Sequence, residues 1–458
     1  MSNGKVSNAL SSPVIASITA VIGRFLLLGT GALTGVIIPL TMPQTSVGMF
    51  FLAQSVIAAL ATVGQLGMSI TAPAGISNAQ GHRDTGKVMQ VIRRSLLLAL
   101  FSTVSIAVGF NLCIHLLSRV EEADLLNVLH SLAPLISISM VLAALSTIIS
   151  EQHRALGHFV QASFLTTGAS VASAATVTLA WRAEIKLDLD LLILAGLAGA
   201  GITTLLGSYS LMRWYRKQPA VEPQSSTSFV SLLRDTRPNL TTTVTLFAMA
   251  QADLWIIAWF SDSAGLAVYG LASRLAALVL IPLAVINTVV APSIGRIWIR
   301  GKKRYLQRVL GVGAGAATTL GLAGYLVFML SGQFLLSHVW SDEYADAYYI
   351  FGILGISQLV QTYAGTAGFV LMMLQKQHIA MRISVISGAC MIAAGFVAMW
   401  LYGIIGLAVV YSLGGVTQSL AQIYFVKREF NLNPTANYSS LRRFARFYYR
   451  RKVSYGRE

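Results

Sequence analysis

Apolar stretches recur from one end of the chain to the other, each separated from the next by a short polar segment. A helix of about twenty apolar residues crosses the roughly 30 Å hydrocarbon core of a bilayer. The stretches fall at 14–40, 47–72, 95–117, 132–149, 159–180, 191–212, 240–260, 265–291, 309–335, 347–374, 379–401 and 403–426, with no soluble domain between them. The pattern predicts an all-α, polytopic membrane protein of about a dozen transmembrane helices.

Composition agrees. Of the 458 residues, 55% are hydrophobic and only 11% charged, and the mean hydropathy is +0.68. A soluble fold of this length could not bury so much apolar surface within itself, so lipid must be its solvent. The first apolar run is too long for a cleavable signal and lacks a small-residue cleavage site after it, which predicts a retained signal-anchor. Cys113 and Cys390 both fall in spans and say nothing of redox compartment.

The basic residues give the orientation. An even number of spans puts both termini on one side. All 33 Lys and Arg lie in the loops and ends of that side except Arg119, Arg182 and Lys186 opposite, and Arg24 and Arg274 inside spans. Cytoplasmic loops collect Lys and Arg, so both termini are expected in the cytoplasm, as in a multi-pass protein of the bacterial inner membrane. The opposite loops hold acids such as Glu121, Glu122, Asp188, Asp190, Asp342 and Glu343. The net charge of +16 is thus topology and not a nucleic-acid signature.

The longest basic-side loop has Pro219, Pro223 and a Gln-Ser-Ser-Thr-Ser run, which is linker composition. It predicts an N-terminal six-helix bundle at 1–212, a cytoplasmic linker at 213–237, a C-terminal six-helix bundle at 238–426 and a basic cytoplasmic tail at 427–458. Self-similarity supports the same cut. Phe50-Phe51-Leu52-Ala53 matches Tyr269-Gly270-Leu271-Ala272, and Ala72-Pro73 matches Ala291-Pro292 at the same offset. Two six-helix bundles around a central cavity are a usual frame for alternating access. In the tail, Arg442, Arg443, Arg446, Arg450 and Arg451 alternate with Phe444, Phe447, Tyr448 and Tyr449, as expected of an interfacial helix on an anionic leaflet.

No nucleotide-binding loop occurs, and the seven His residues lack metal-ligand spacing. His153 and His158, five apart at a span end, fit an interfacial position better than a liganding one. No catalytic constellation, cofactor or metal is expected, and the chain reads as a transporter and not an enzyme. The informative residues are the charges inside spans: Arg24, Asp253 and Arg274. A charge facing hydrocarbon costs at least about 2.5–3.5 kcal/mol, so each should face the bundle interior. Asp253 and Arg274 flank the turn at 261–264 almost symmetrically, which makes them either a structural ion pair or part of a site. Arg24 has no comparable carboxylate in its own half. Arg24 and Arg274 could together hold an anion, because the guanidinium fork binds phosphate bidentately and stays charged when desolvated. Gln54 and Gln251, with Gln65, Asn287, Gln358, Gln361 and Gln418, are either hydrogen-bonding groups for a hydroxyl-rich substrate or interhelical glue. The Gly311, Gly313 and Gly315 run reads as a close-packing surface.

The segment from Asp253-Leu-Trp-Ile-Ile through Gly265-Leu-Ala-Val-Tyr269-Gly-Leu-Ala272-Ser-Arg274-Leu275 and Pro282 to Ala291-Pro292 resembles the multidrug/oligosaccharidyl-lipid/polysaccharide exporter superfamily. It is most similar to the bacterial polysaccharide repeat-unit (O-antigen type) flippases, and Val47-Gly48-Met-Phe50-Phe-Leu-Ala53-Gln with Ala72-Pro73 echoes it in the first half. The resemblance implies a carrier of an undecaprenyl-diphosphate-linked oligosaccharide, with Arg24 and Arg274 as cavity arginines. The partners implied are this lipid-linked oligosaccharide, membrane lipids, a polysaccharide polymerase and glycosyltransferases, with no nucleic acid. Two alternatives stay open: an ion-coupled multidrug or organic-cation exporter of the same superfamily, which would want acids in the cavity, and a membrane assembly component without transport.

Overall fold

The computed structural model describes residues 29–31, 33–82, 84–119, 124–218, 229–261 and 263–437. Arg24, the middle of the 213–237 linker and the tail beyond residue 437 lie outside these. The described residues form helices and no strands: α1 (Gly29–Thr41), then α2 (Gln44–Gly64), α3 (Met68–Gly81), α4 (Thr85–Leu117), α5 (Asp124–Ala155), α6 (Phe159–Arg182), α7 (Leu189–Arg216), α8 (Phe229–Phe260), α9 (Ser263–Leu278), α10 (Ile281–Ile299), α11 (Lys303–Leu335), α12 (Ala347–Ala364), α13 (Ala367–Met373) and α14 (Gln377–Phe430). They divide into two compact units: unit 1 runs to Ala267, and unit 2 starts at Val268.

The helices are inside out by the standards of a soluble protein. Along α4 the outward stripe is large and apolar, with Phe101 77% exposed and Val108 65% exposed, while Ser95, Ala99 and Thr103 are buried. On α11, Leu330 is 87% exposed whereas Ala314, Ala317 and Thr318 face inward. Small and hydroxyl residues at helix contacts with bulky apolar residues outside are the arrangement expected where lipid is the solvent. The all-α, polytopic expectation therefore holds.

Among the described residues, eight helices are long and apolar enough to cross a membrane, or nine if the bent pair α9 and α10 forms one span. The sequence-derived spans differ from these helices in having been drawn unbroken. The 47–72 span is interrupted between α2 and α3, where Leu66 has φ 50° and Gly67 φ 75°. The 265–291 span bends by 49° between α9 and α10. The 347–374 span breaks at Gly365, φ 63°, between α12 and α13. Conversely, α14 joins two helices end to end across a kink. At Gly403 the backbone has φ 64° and ψ −155°, a combination open essentially to glycine alone. There the helix folds back: Gln418 Nε2 donates to Ser384 Oγ at 3.0 Å, and Gly414 packs on Met391. The 54 residues are therefore two antiparallel legs, the 379–401 and 403–426 spans of the sequence pattern.

Within unit 1, α6 and α7 meet along glycines. A Cβ on Gly168 would collide with Thr203, and one on Gly199 with Gly168 and Ala172. Helix α5 joins this pair through hydroxyls, Ser146 Oγ donating to the Leu165 carbonyl at 2.9 Å and Ser150 Oγ to that of Ala162 at 2.8 Å. In unit 2 the chain leaves α14 and crosses back over the bundle, where Ala436 N donates to the Tyr363 carbonyl and Asn437 N to that of Gly311, both at 3.0 Å. Leu432 on this crossing segment joins an apolar cluster with Ile294, Leu310, Val370 and Val426. Gly311 packs against Asn437 and Gly313 against Ile286, so this glycine run is a packing surface, as the sequence indicates.

Candidate transport site

In unit 1 the polar groups gather where α8 lies on α2 and α3. The seam is set by glycines: a Cβ on Gly48 would land on the Ser263 carbonyl at the start of α9, and one on Gly67 would lie 2.7 Å from Leu240 N. Backbones that approach this closely bring their side chains into hydrogen-bond reach. Trp255 Nε1 donates to Ser55 Oγ at 3.1 Å, and Ser55 Oγ donates in turn to the Leu52 carbonyl at 2.9 Å. One level away, Asn239 Nδ2 donates to Thr71 Oγ1 at 2.9 Å.

Three of the five expected site residues lie on the helices of this seam. Gln54 neighbours Ser55 on α2 and Gln251 stands one turn before Trp255 on α8, so the fold places both on helices of the same seam; each is half-buried. Asp253 sits between Gln251 and Trp255 in sequence on α8, half-buried, with Oδ1 accepting from the Leu254 amide at 2.9 Å. Arg274 belongs to unit 2, half-buried on α9 and one turn before that helix ends. Arg24 lies outside the described residues. Gln418, read as site or glue, is glue through its bond to Ser384.

One feature of this seam escaped the sequence. The Trp255–Ser55 bond joins residues 200 apart, and nothing local marks either as a partner. In unit 2, Asn287, one of the polar residues marked in the sequence, has its Oδ1 buried in the broken-span helix α10 with no hydrogen-bond partner among the described residues. A buried orphan acceptor is costly and marks a place where a ligand or water group would be accepted. An interrupted helix inside a membrane leaves backbone polar groups that must line a cavity or be met by neighbours. Among the described residues no group of three His, Cys, Asp or Glu is placed to hold a metal ion.

No family model matches the chain, and no curated protein matches it either. Solved structures do. An inward-facing multidrug resistance MATE family transporter of the MOP superfamily superposes with a TM-score of 0.70 over 92% of this chain and 98% of its own, at 14% identity. An outward-facing structure of such a transporter gives 0.62 over 91% and 94%, at 16% identity. A variant of a MATE transporter from Vibrio cholerae gives 0.63 over 91% and 96%, at 16% identity. At these identities the fold is what is shared, and it is shared along nearly the full length.

Proposed function

We propose that the chain is a secondary exporter that works by alternating access and expels an organic substrate, ion-coupled in the manner of the multidrug branch. One observation carries this reading: the fold matches MATE transporters in both an inward-facing and an outward-facing conformation over at least nine-tenths of this chain. We take the two six-span halves around the 213–237 linker as the moving bundles and the basic side as cytoplasmic. In this reading Asp253, the carboxylate deep within a described span, attracts the cation or coupling ion, and Gln54 and Gln251 offer hydrogen bonds to the substrate.

A second reading has its own support. Two span arginines, Arg24 and Arg274, against one span carboxylate favour an anionic substrate. That is the chemistry of a polyprenyl-diphosphate-linked oligosaccharide, carried outward for surface polysaccharide synthesis.

The two readings separate in one paired experiment. The wild type, Asp253→Asn and Arg274→Gln are expressed in a drug-hypersensitive strain and in a polysaccharide-flippase-null strain, with membrane protein levels measured in each. The exporter reading expects resistance to lipophilic cations that disappears when the ion gradient is collapsed and is lost in Asp253→Asn. The flippase reading expects restored surface polysaccharide that is lost in Arg274→Gln. A well-expressed wild type that does neither would overturn transport and leave the assembly role.

A further inference from the structure

The end of unit 1 that carries the basic loops holds a pair of histidines whose spacing has a structural cause. Helix α5 ends at Ala155, and Gly157 follows with φ 83°. Gly157 N donates to the Arg154 carbonyl at 3.1 Å and His158 N to the His153 carbonyl at 2.8 Å. These are the two bonds of a Schellman ending, with His153 in the last turn and His158 just beyond the left-handed residue. Such an ending usually closes on an apolar contact between those two positions. Here it closes on a hydrogen bond, His153 Nδ1 to His158 Nδ1 at 3.3 Å. The ring centroids are 5.6 Å apart, nearly the nitrogen–nitrogen distance plus both ring radii, so the rings meet head on. The expectation that both are interfacial fails for His153, which is fully buried.

The proton positions follow from the partners. His153 Nε2 lies 3.0 Å from the Gly207 carbonyl on α7, and a carbonyl only accepts. His153 therefore carries its proton on Nε2, its Nδ1 is a bare acceptor, and His158 Nδ1–H is the donor. Gly207 is held in place from the other side, since a Cβ there would collide with Leu165 of α6. The two rings thus tie α5, the α5–α6 turn and α7 together.

A proton added to His153 Nδ1 would set one N–H against another, so an incoming proton must go to His158 Nε2. We propose that this pair is a proton-operated clasp: closed while a single proton bridges the rings, and released when His158 takes a second proton from the adjoining aqueous side. Two effects compete on His158. A charged donor strengthens the bridge, but the half-buried ring loses hydration, and burial pushes its pKa below the ordinary histidine value. Burial wins, so the charged ring turns toward water and leaves the His153 acceptor unpaired in the bundle, which weakens the junction.

The surroundings do not supply a competing charge. On α5 itself, Glu151 is occupied with Arg154 at 2.6 Å. Helices α2 and α3 carry no titratable side chain, and α6 carries only Arg182 at its far end. Near this end α4 offers Lys87, Arg93 and Arg94, with the capping Asp84 accepting from the Lys87 amide, and α7 offers Tyr209, Arg213, Tyr215 and Arg216. Among the described residues, His158 is the side chain that acts electrostatically on His153. The clasp does not depend on which substrate is carried; the proposed orientation only names the compartment sensed, the cytoplasm.

The test uses the full chain in detergent micelles with 15N-labelled histidine, as wild type and His158→Gln, followed by NMR from pH 7.5 to 5.5. At pH 7.5 the expected result is that replacing His158 removes its own signals and shifts one other histidine, a neutral ring protonated on Nε2, at its Nδ1. On acidification the wild-type Nδ1 signal should move to the His158→Gln position as His158 becomes charged. No second histidine shifting at pH 7.5, or a wild-type Nδ1 that ignores the charging of His158, would overturn the clasp. Thermal unfolding gives an independent reading. A group whose folded pKa is depressed contributes its stability above the unfolded value and loses it as pH falls, so the wild-type unfolding temperature should drop below about pH 6.5. His158→Gln should lack that part of the slope, and an identical slope in both proteins would also refute the proposal.

Discussion

The replacement Gly48→Ala tests how tightly the α2 seam is built. An added Cβ would overlap the Ser263 carbonyl and lie 3.1 Å from Ala267 N. Both neighbours are backbone at the start of α9, so no side chain can rotate to make room; the helices must separate or the chain at 263–267 must shift. Overpacking of this kind costs about 1–3 kcal/mol. For a unit of this size each kcal/mol corresponds to roughly 2–4 °C in unfolding temperature, which gives a fall of about 2–12 °C. The control is Gly109→Ala on α4, where a Cβ meets nothing within 4 Å and helix propensity improves by up to about 1 kcal/mol. Unfolding temperature by fluorescence-detected size exclusion in one detergent separates the two. If Gly48→Ala melts with the wild type, or if Gly109→Ala falls as far, the close approach at Ser263 is not what holds this seam.

The Trp255–Ser55 bond should show a coupling of about 0.5–1.5 kcal/mol in a double-mutant cycle of Trp255→Phe and Ser55→Ala; additivity of the two changes would count against it. Gly403→Ala meets open space but forces alanine into a backbone region essentially reserved for glycine. It should therefore cost about 1–3 kcal/mol, and an unfolding temperature equal to that of wild type would contradict the fold-back. Gly321→Val places a Cβ 2.9 Å from the Val279 carbonyl and is expected to lower both protein level and unfolding temperature, whereas Gly324→Ala, with open space around it, leaves both unchanged.

What could be read from the sequence follows the range over which its cause acts. Span positions were legible because hydrophobicity over twenty residues is a local property, and Gly403 fell at the boundary between two of them. The breaks inside spans were less so. Pro282, just inside α10, and Gly365, just beyond α12, could have marked theirs. Leu66 at φ 50° could not, because no side chain announces a left-handed leucine; Gly67 is packed against Leu240 and Thr236, far away in sequence. The same limit governs the site. Gln54, Gln251 and Asp253 stood out as polar residues in apolar runs, but their shared seam depends on contacts about 200 positions apart. His153 and His158 stood out as a pair, and their five-residue spacing was misread because the Schellman ending that explains it needs the αL geometry of Gly157.

The broken spans reconcile stability with the movement that the proposed function requires. A break frees carbonyls, and each freed group in a membrane is costly unless something meets it. In unit 1 the Gly64 carbonyl accepts from Ser102 Oγ on α4, while Met68 N donates to the Gln65 carbonyl at 2.8 Å and rejoins the chain. In unit 2 Val279 N and Leu280 N donate to the Ala276 and Ala277 carbonyls at 3.1 and 3.0 Å, and Gly321 on α11 leaves room for the Val279 carbonyl. Both breaks therefore keep their backbone groups satisfied by short local bonds and one small neighbour. That arrangement allows a change of angle at the break without exposing a long run of peptide groups. Of the three interrupted spans, the second and the eighth of the sequence pattern occupy the same place in each half of the proposed repeat, while the break at Gly365 in the tenth has no counterpart in the fourth. In the alternating access proposed above, these two matched breaks, closed by exchangeable bonds, would serve as hinges whichever substrate passes.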